Sequence, residues 1–318
     1  MGNIAWKHMA LGMVALMLLI AWPFCLPTYW TLILTEIVIM GLFAMSFNLL
    51  LGYTGLLSFG QAGFFGVGAY GCALMLSTSK PSLAAALAVA VVAAGLVALV
   101  IGYLCVRRDE IYFAMITLGF GMMLFTIAHN WIGLTGGSDG LPVMDMPSIW
   151  IGQYEFTLFD PVNMYLFVLL IAFLGTWMLR RVVQSPFGLM LTAIRENKQR
   201  LSFVGANVQW LRLTAFVISG ALAGLAGALF CLFNAMATPD FMHWGFSAKP
   251  VLMSILGGSG LFLGPLFGAA VFFGLEQAIT HFTNNWMIFL GAILIPVVIF
   301  FPRGILGALV DRMRGAAQ

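Results

Sequence analysis

Ten stretches of the chain are apolar over about the length a helix needs to cross a hydrocarbon layer, roughly 20 residues. They fall at residues 9–26, 32–51, 55–77, 83–106, 111–130, 161–179, 213–236, 247–260, 263–280 and 286–301, each closed by polar or turn residues. The pattern predicts a transmembrane helix over each. A spanning segment must satisfy its own backbone N–H and C=O groups, so helices are what such runs form in a bilayer. Glycines interrupt the third, eighth and ninth stretches, which are expected to be broken or partly re-entrant. Two connections are too long to be simple links. Residues 131–160 carry Thr135, Gly136, Gly137, Ser138 and Asp139, followed by Gly140, Pro142 and Pro147. Residues 180–212 are polar, and Leu189, Leu191 and Ile194 alternate there with charges. That spacing predicts short helices at the membrane surface with a buried stripe. A solvated linker, the other reading, has no need to bury one.

Composition removes the soluble alternatives. Of 318 residues, 62% are hydrophobic and 8% charged, with a mean hydropathy of +1.04. Soluble domains carry about 25% charged residues, and a disordered chain needs far fewer apolar ones. The 36 glycines and 12 prolines are spread through the apolar runs, which suits a single bundle with interrupted helices. Net charge is only +3, from 14 basic and 11 acidic residues, and placement says more than the total. Ten crossings put both termini on one side, with residues 107–108, 180–212 and the tail. Twelve of the 14 Lys and Arg then share that side, leaving only Lys80 and Lys249 opposite. By the positive-inside rule the termini are cytoplasmic. The first 25 residues imitate a signal peptide but lack a small-x-small cleavage pattern, so a retained span is expected.

Candidate chemistry is sparse. The dipeptide Gly-Lys is absent from the chain, so there is no phosphate-binding P-loop. His8, His129, His243 and His281 lack metal-site spacing and read as interfacial anchors. Cys25, Cys72, Cys105 and Cys231 form no CxxC pair and read as buried apolar thiols. Neither a catalytic constellation nor a metal site is expected. Of the acidic residues, only Glu36 and Glu276 lie inside predicted spans, near their outer ends. A pathway so poor in charge suits a solute with a substantial apolar part and energy supplied from elsewhere. Ser58, Phe59, Gly60 and Gln61 sit within one glycine cluster, and Gly257, Gly258, Ser259 and Gly260 form a second. Such clusters allow close helix packing or broken helices facing a cavity. The polar Ser58 and Gln61 need partners, whether neighbouring helices or a passing solute. LGYTG at 51–55 and LGGSG at 256–260 also suggest two halves related by a parallel repeat. Gly220, Gly224 and Gly227 read as a packing face.

These residues resemble a family over nearly the whole chain. The similar stretches are GLLSFGQAGFFGVGAY at 55–70, IYFAMITL at 111–118, TGGSDGL at 135–141, SPFG at 185–188 and AIREN at 193–197. They continue with AFVIS at 215–219, GGSG at 257–260, GP at 264–265 and FPRGILG at 301–307. Together and in order they resemble the membrane subunit of bacterial branched-chain amino-acid ABC importers. The resemblance implies an all-α polytopic membrane protein with the type II importer permease fold, in the bacterial inner membrane. It implies a second related permease, two cytoplasmic ATPases that hold ATP and Mg, and a periplasmic solute-binding protein. No cofactor on this chain and no nucleic-acid partner are implied. The loop at 180–212 would dock in an ATPase groove through Gly188, Ala193, Ile194, Arg195, Glu196 and Asn197. Its sequence departs from the wider permease loop pattern, which begins Glu-Ala-Ala. Relatives with these motifs carry leucine, isoleucine and valine, or amides, urea and aromatic carboxylates. An ion-coupled secondary transporter or a channel is the reading from another class.

Overall fold

The computed structural model describes residues 27–78, 82–108, 110–144, 149–151, 154–283, 286–300 and 304–308, with Leu19, Trp22 and Pro23. Apart from those last three, the predicted first span lies outside the described residues, as do Cys25, Lys80 and the tail beyond residue 308. Helix α1 (Thr28–Asn48) continues into a π-helical turn, Leu49–Thr54, and α2 (Gln61–Leu76) follows after a break. Then come α3 (Leu83–Cys105), α4 (Glu110–Asn130) and the short α5 (Ile132–Thr135). Helices α6 (Pro161–Gln184), α7 (Pro186–Phe203) and α8 (Val208–Asn234) lead to α9 (Trp244–Gly257), α10 (Gly264–Thr280) and α11 (Trp286–Phe300).

Five of these helices, α1 with its π-helical turn included, are long and apolar enough to cross a membrane. The chain is an all-α polytopic membrane protein. Every predicted span from the second to the tenth falls on a helix, but the ends differ. The third begins at Gln61 rather than at 55, because residues 55–60 are not helical. The sixth runs on to Gln184, the seventh starts at Val208 and the eighth at Trp244. Hydropathy marks where hydrocarbon ends, whereas a helix continues until its hydrogen bonds stop. Amphipathic side chains cover the difference: the Arg181 guanidinium lies 5.1 Å from the Trp177 ring centre and snorkels along it.

Helix α8 is the axle of the bundle and packs most extensively on α2 and α3, while α1 packs on α6, α8 and α10. Close approach is set by small residues. Along α3, Ala86, Ala90, Ala94 and Ala98 form a fully buried stripe at every fourth position. Gly220 and Gly224 of α8 meet Ala98 and Ala94, and Gly224 also abuts Gly68 of α2. Gly227 lies on the Phe65 carbonyl, where a methyl group would collide. This small-residue contact lets dispersion and backbone proximity replace the hydrophobic drive that lipid does not supply. Cys72, Cys105 and Cys231 are buried free thiols, as expected.

The connection at residues 131–160 holds structure that hydropathy does not reveal. Strand β1 (Leu141–Pro142) pairs antiparallel with β4 (Met236–Ala237), and β2 (Ile149–Ile151) pairs with β3 (Tyr154–Phe156). The first pairing, with Val143 N–H donating to the Ala235 carbonyl at 2.9 Å, stitches the loop to the end of α8.

Candidate coupling and translocation site

The first glycine cluster is a helix break. Helix α1 widens into its π-helical turn and ends at Gly55, whose φ of 75° lies in the left-handed region that glycine enters without a Cβ clash. Residues 55–60 then run unwound to α2. Ser58 and Gln61 are fully buried. The Gln61 amide donates to Ser219 Oγ at 2.7 Å, and Ser219 Oγ donates to the Ser46 carbonyl at 2.6 Å. Ser247 Oγ accepts from Ala62 N–H at 3.0 Å, and Thr117 Oγ1 from Phe59 N–H at 3.3 Å. Neighbouring helices thus supply the partners that the unwound backbone needs. Three buried polar atoms are left over: Ser58 Oγ, Gln61 Oε1 and Asn48 Oδ1 have no hydrogen-bond partner. Thr117, Ser247 and Asn48 did not stand out in the sequence, although a polar residue inside an apolar run is the mark that would have found them.

The second cluster is also a break, between α9 and α10. Gly258 has a φ of 103°, and Gly264 abuts its carbonyl. The two breaks touch. A side chain at Gly52 would strike the Ser259 carbonyl and Asn48, and Gly304 lies on the Gly258 N–H. Phe59 and Gly60 face α4, with Gly60 against the Thr117 carbonyl. Beside the first break, Gly55, Leu57, Phe59, Ile111, Ala114, Met115 and Leu118 line a cleft of about 440 Å³.

The connection at residues 180–212 carries α7. Gly188 abuts the Val183 carbonyl, which allows the sharp turn from α6. Leu191 and Ile194 are buried as the stripe predicted, but Leu189 is 71% exposed. Asn197 interrupts the helix with φ −161° and ψ 101°. Its Oδ1 accepts the N–H groups of Gln199 and Arg200, both at 3.0 Å, and so caps a second short helix. Ala193, Glu196, Asn197, Arg200, Leu201 and Val204 line an open cleft of about 360 Å³. Phe203 and Val204 beside it are 87% and 85% exposed. Arg195 leaves this face: its guanidinium donates to the Gly52 carbonyl.

The outer motif is a stitched turn. Gly136, Gly137 and Gly140 have positive φ, and the buried Thr135 hydroxyl bonds back to the end of α4 through the Ala128 carbonyl. Ser138 and Asp139 are exposed and hydrogen-bonded to each other at 3.2 Å. Among the described residues, Glu36 of α1 and Glu276 of α10 both lie within reach of the Lys249 charge. Lys249 belongs to α9, and its ammonium is 5.0 Å from the Phe246 ring centre.

Comparison with known proteins agrees with this architecture. Residues 29–298 match the family model described as "Branched-chain amino acid transport system / permease component". The high-affinity branched-chain amino acid transport system permease protein LivM of Escherichia coli (strain K12) is 28% identical, covering 93% of this chain and 74% of that protein. The permease protein LivH of the same strain is 26% identical, covering 84% of this chain and 90% of that one. A probable LivM of Methanocaldococcus jannaschii is 27% identical over 55% of this chain and 50% of its own length. No solved structure gives a significant match. With most of its length matched, from α1 to α11, the chain belongs to the family of permease components of branched-chain amino acid transport systems.

Proposed function

We propose that the chain is one of two permease subunits of an ATP-driven importer in the bacterial inner membrane. In this reading it crosses the membrane ten times, with both termini in the cytoplasm and the type II importer fold. It forms half of the pathway for branched-chain or related hydrophobic amino acids that a periplasmic binding protein delivers. Two cytoplasmic ATPases hold ATP and Mg and supply the energy. The names of the LivM and LivH relatives support the substrate class and the pairing of unlike permeases. The absence of a Gly-Lys dipeptide supports placing the ATPase elsewhere.

The observation that carries the reading is the capped, kinked α7, with Phe203 and Val204 exposed beside a cleft. Large apolar groups held on polar helices outside the bilayer are anchors for a protein partner. Placing a charge there, as in Val204→Glu, desolvates it against an apolar surface, and losses of about 2 kcal/mol or more are usual for an anchor. The variant is expected at normal membrane abundance with the ATPases no longer co-purifying. Full ATPase recovery with Val204→Glu would remove α7 as the docking element. The pathway is proposed to run past the break at 55–60, where Ser58 Oγ and Gln61 Oε1 lack partners and the cleft against α4 opens.

A further inference from the structure

The end of α1 has an accounting problem. A helix that stops leaves its last carbonyls without N–H donors. At this end the Leu50 carbonyl accepts from the N–H of both Gly55 and Leu56, and from the Thr54 hydroxyl as well. Gly52, two residues on, would have bonded to an N–H of the next turn had the helix continued. The chain unwinds instead, and the donor that reaches its carbonyl is the Arg195 guanidinium, 143 residues away on α7. The stem of the same side chain packs on the break, for a carbon added at Gly55 would lie 3.2 Å from Arg195 Cγ. On its other side Gly52 abuts the Ser259 carbonyl of the second break. One cation thus caps the negative end of a helix dipole and joins α7 to both breaks.

We infer that Arg195 is a positioning residue that transmits movement of α7 to the break at 55–60 through the Gly52 carbonyl, rather than a contact for the ATPase. This rests on the reading of α7 as the coupling element. The remaining exposed side chains, from Glu196 of α7 to Val204 just past its end, are left for docking. A π-helical turn holds one residue more per hydrogen-bonded ring than an α-helix and recurs at functional sites. It can therefore tighten or relax without unravelling α1. Displacing α7 changes the pull on the Gly52 carbonyl, and with it the balance between the π-helical and α-helical endings and the position of Leu57–Ser58–Phe59–Gly60.

The test uses the complete importer with Arg195→Met, Arg195→Lys and Val204→Glu. Arg195→Met keeps the apolar stem and removes every donor. It is expected to keep the ATPases at wild-type stoichiometry while uptake falls about tenfold or more, the scale of one charge-assisted hydrogen bond. ATP turnover should no longer respond to loaded binding protein. Arg195→Lys, with charge but a single point donor, should recover part of both. Val204→Glu should lose the ATPases. Wild-type uptake by Arg195→Met overturns the inference. So does loss of the ATPases with Arg195→Met when Val204→Glu loses them too, which would make Arg195 a docking residue and leave the coupling reading intact. Retention of the ATPases by Val204→Glu fails the coupling reading itself. Should Arg195→Met not accumulate, spin labels on Leu57 and Ser202 of the otherwise wild-type complex decide. A separation that stays constant while both move with ATP supports transmission, and independent movement overturns it.

Discussion

Helices α3 and α4 are both long and apolar enough to cross a membrane, and both leave most of their length exposed in the single chain. Their exposed faces differ in chemistry. α3 presents Val89, Val92, Leu96, Leu99 and Val100, all branched aliphatic groups, and turns its alanines inward. The open stripe of α4 runs through Ile111, Met115, Gly119, Met123 and Ile127, with Thr126 beside it and Gly119 in empty space. Thr126 donates to its own helix at the Met122 carbonyl, 2.9 Å away, which hides the hydroxyl from lipid without giving it a partner across a contact. Lipid tails gain nothing from a bare glycine, whereas a second helix can approach it closely. Exposure in a single membrane subunit therefore has two meanings. On α3 an all-aliphatic face suits lipid tails; on α4, which also borders the cleft at the first break, a bare glycine leaves room for the close approach of another helix.

The largest effect should come from breaking the covered face of α3. Gly224→Leu drives a branched side chain into Ala94 Cβ and toward the Ala90 carbonyl. Overpacking costs about 1–3 kcal/mol where the core can adjust, and two backbones in contact cannot. Membrane abundance by immunoblot should collapse, and undiminished abundance would mean that α3 is not held by α8. A smaller effect separates the outer faces. A lysine at mid-span facing lipid costs roughly 2.5–3.5 kcal/mol of insertion, so Leu96→Lys should insert poorly. Met123→Lys, turned toward a partner or a wet pathway, should insert better, and equal losses in an insertion assay would erase the distinction. The smallest effect on the folded chain is expected from Val92→Trp and Gly119→Trp. Both should stay within about 0.5 kcal/mol of the parent, yet only Gly119→Trp should lose the co-purifying second permease.

Much of this was legible along the chain, and the reasons are local. A run such as residues 83–106 reads as a span because a bilayer permits almost nothing else there. Leu191 and Ile194 could be placed on the covered side of α7 because helical period alone sets their direction. Leu189, two residues before, was misjudged, since its side is open and no neighbour covers it. The alanines of α3 at every fourth position were readable as a packing stripe but are easily lost among so many apolar residues. The two glycine clusters were visible as clusters, while their meeting at Gly52 and Ser259 was not. Nor was the direction of Arg195, whose guanidinium reaches the Gly52 carbonyl 143 residues away.

By itself the sequence determined the membrane and the helices. Those follow from transfer free energies and hydrogen-bond closure, which each segment settles without reference to the rest. The kink at Asn197 and the turn at Gly55 belong to the same class, being written in a cap residue and a glycine. Only the tertiary structure decided which carbonyl Arg195 caps, which acids lie within reach of Lys249, and which polar atoms at the break stay without partners. Each depends on atoms far apart in the chain meeting within a few ångströms. Hydrogen bonds and close packing fall away over that distance, so no pattern along the sequence records them.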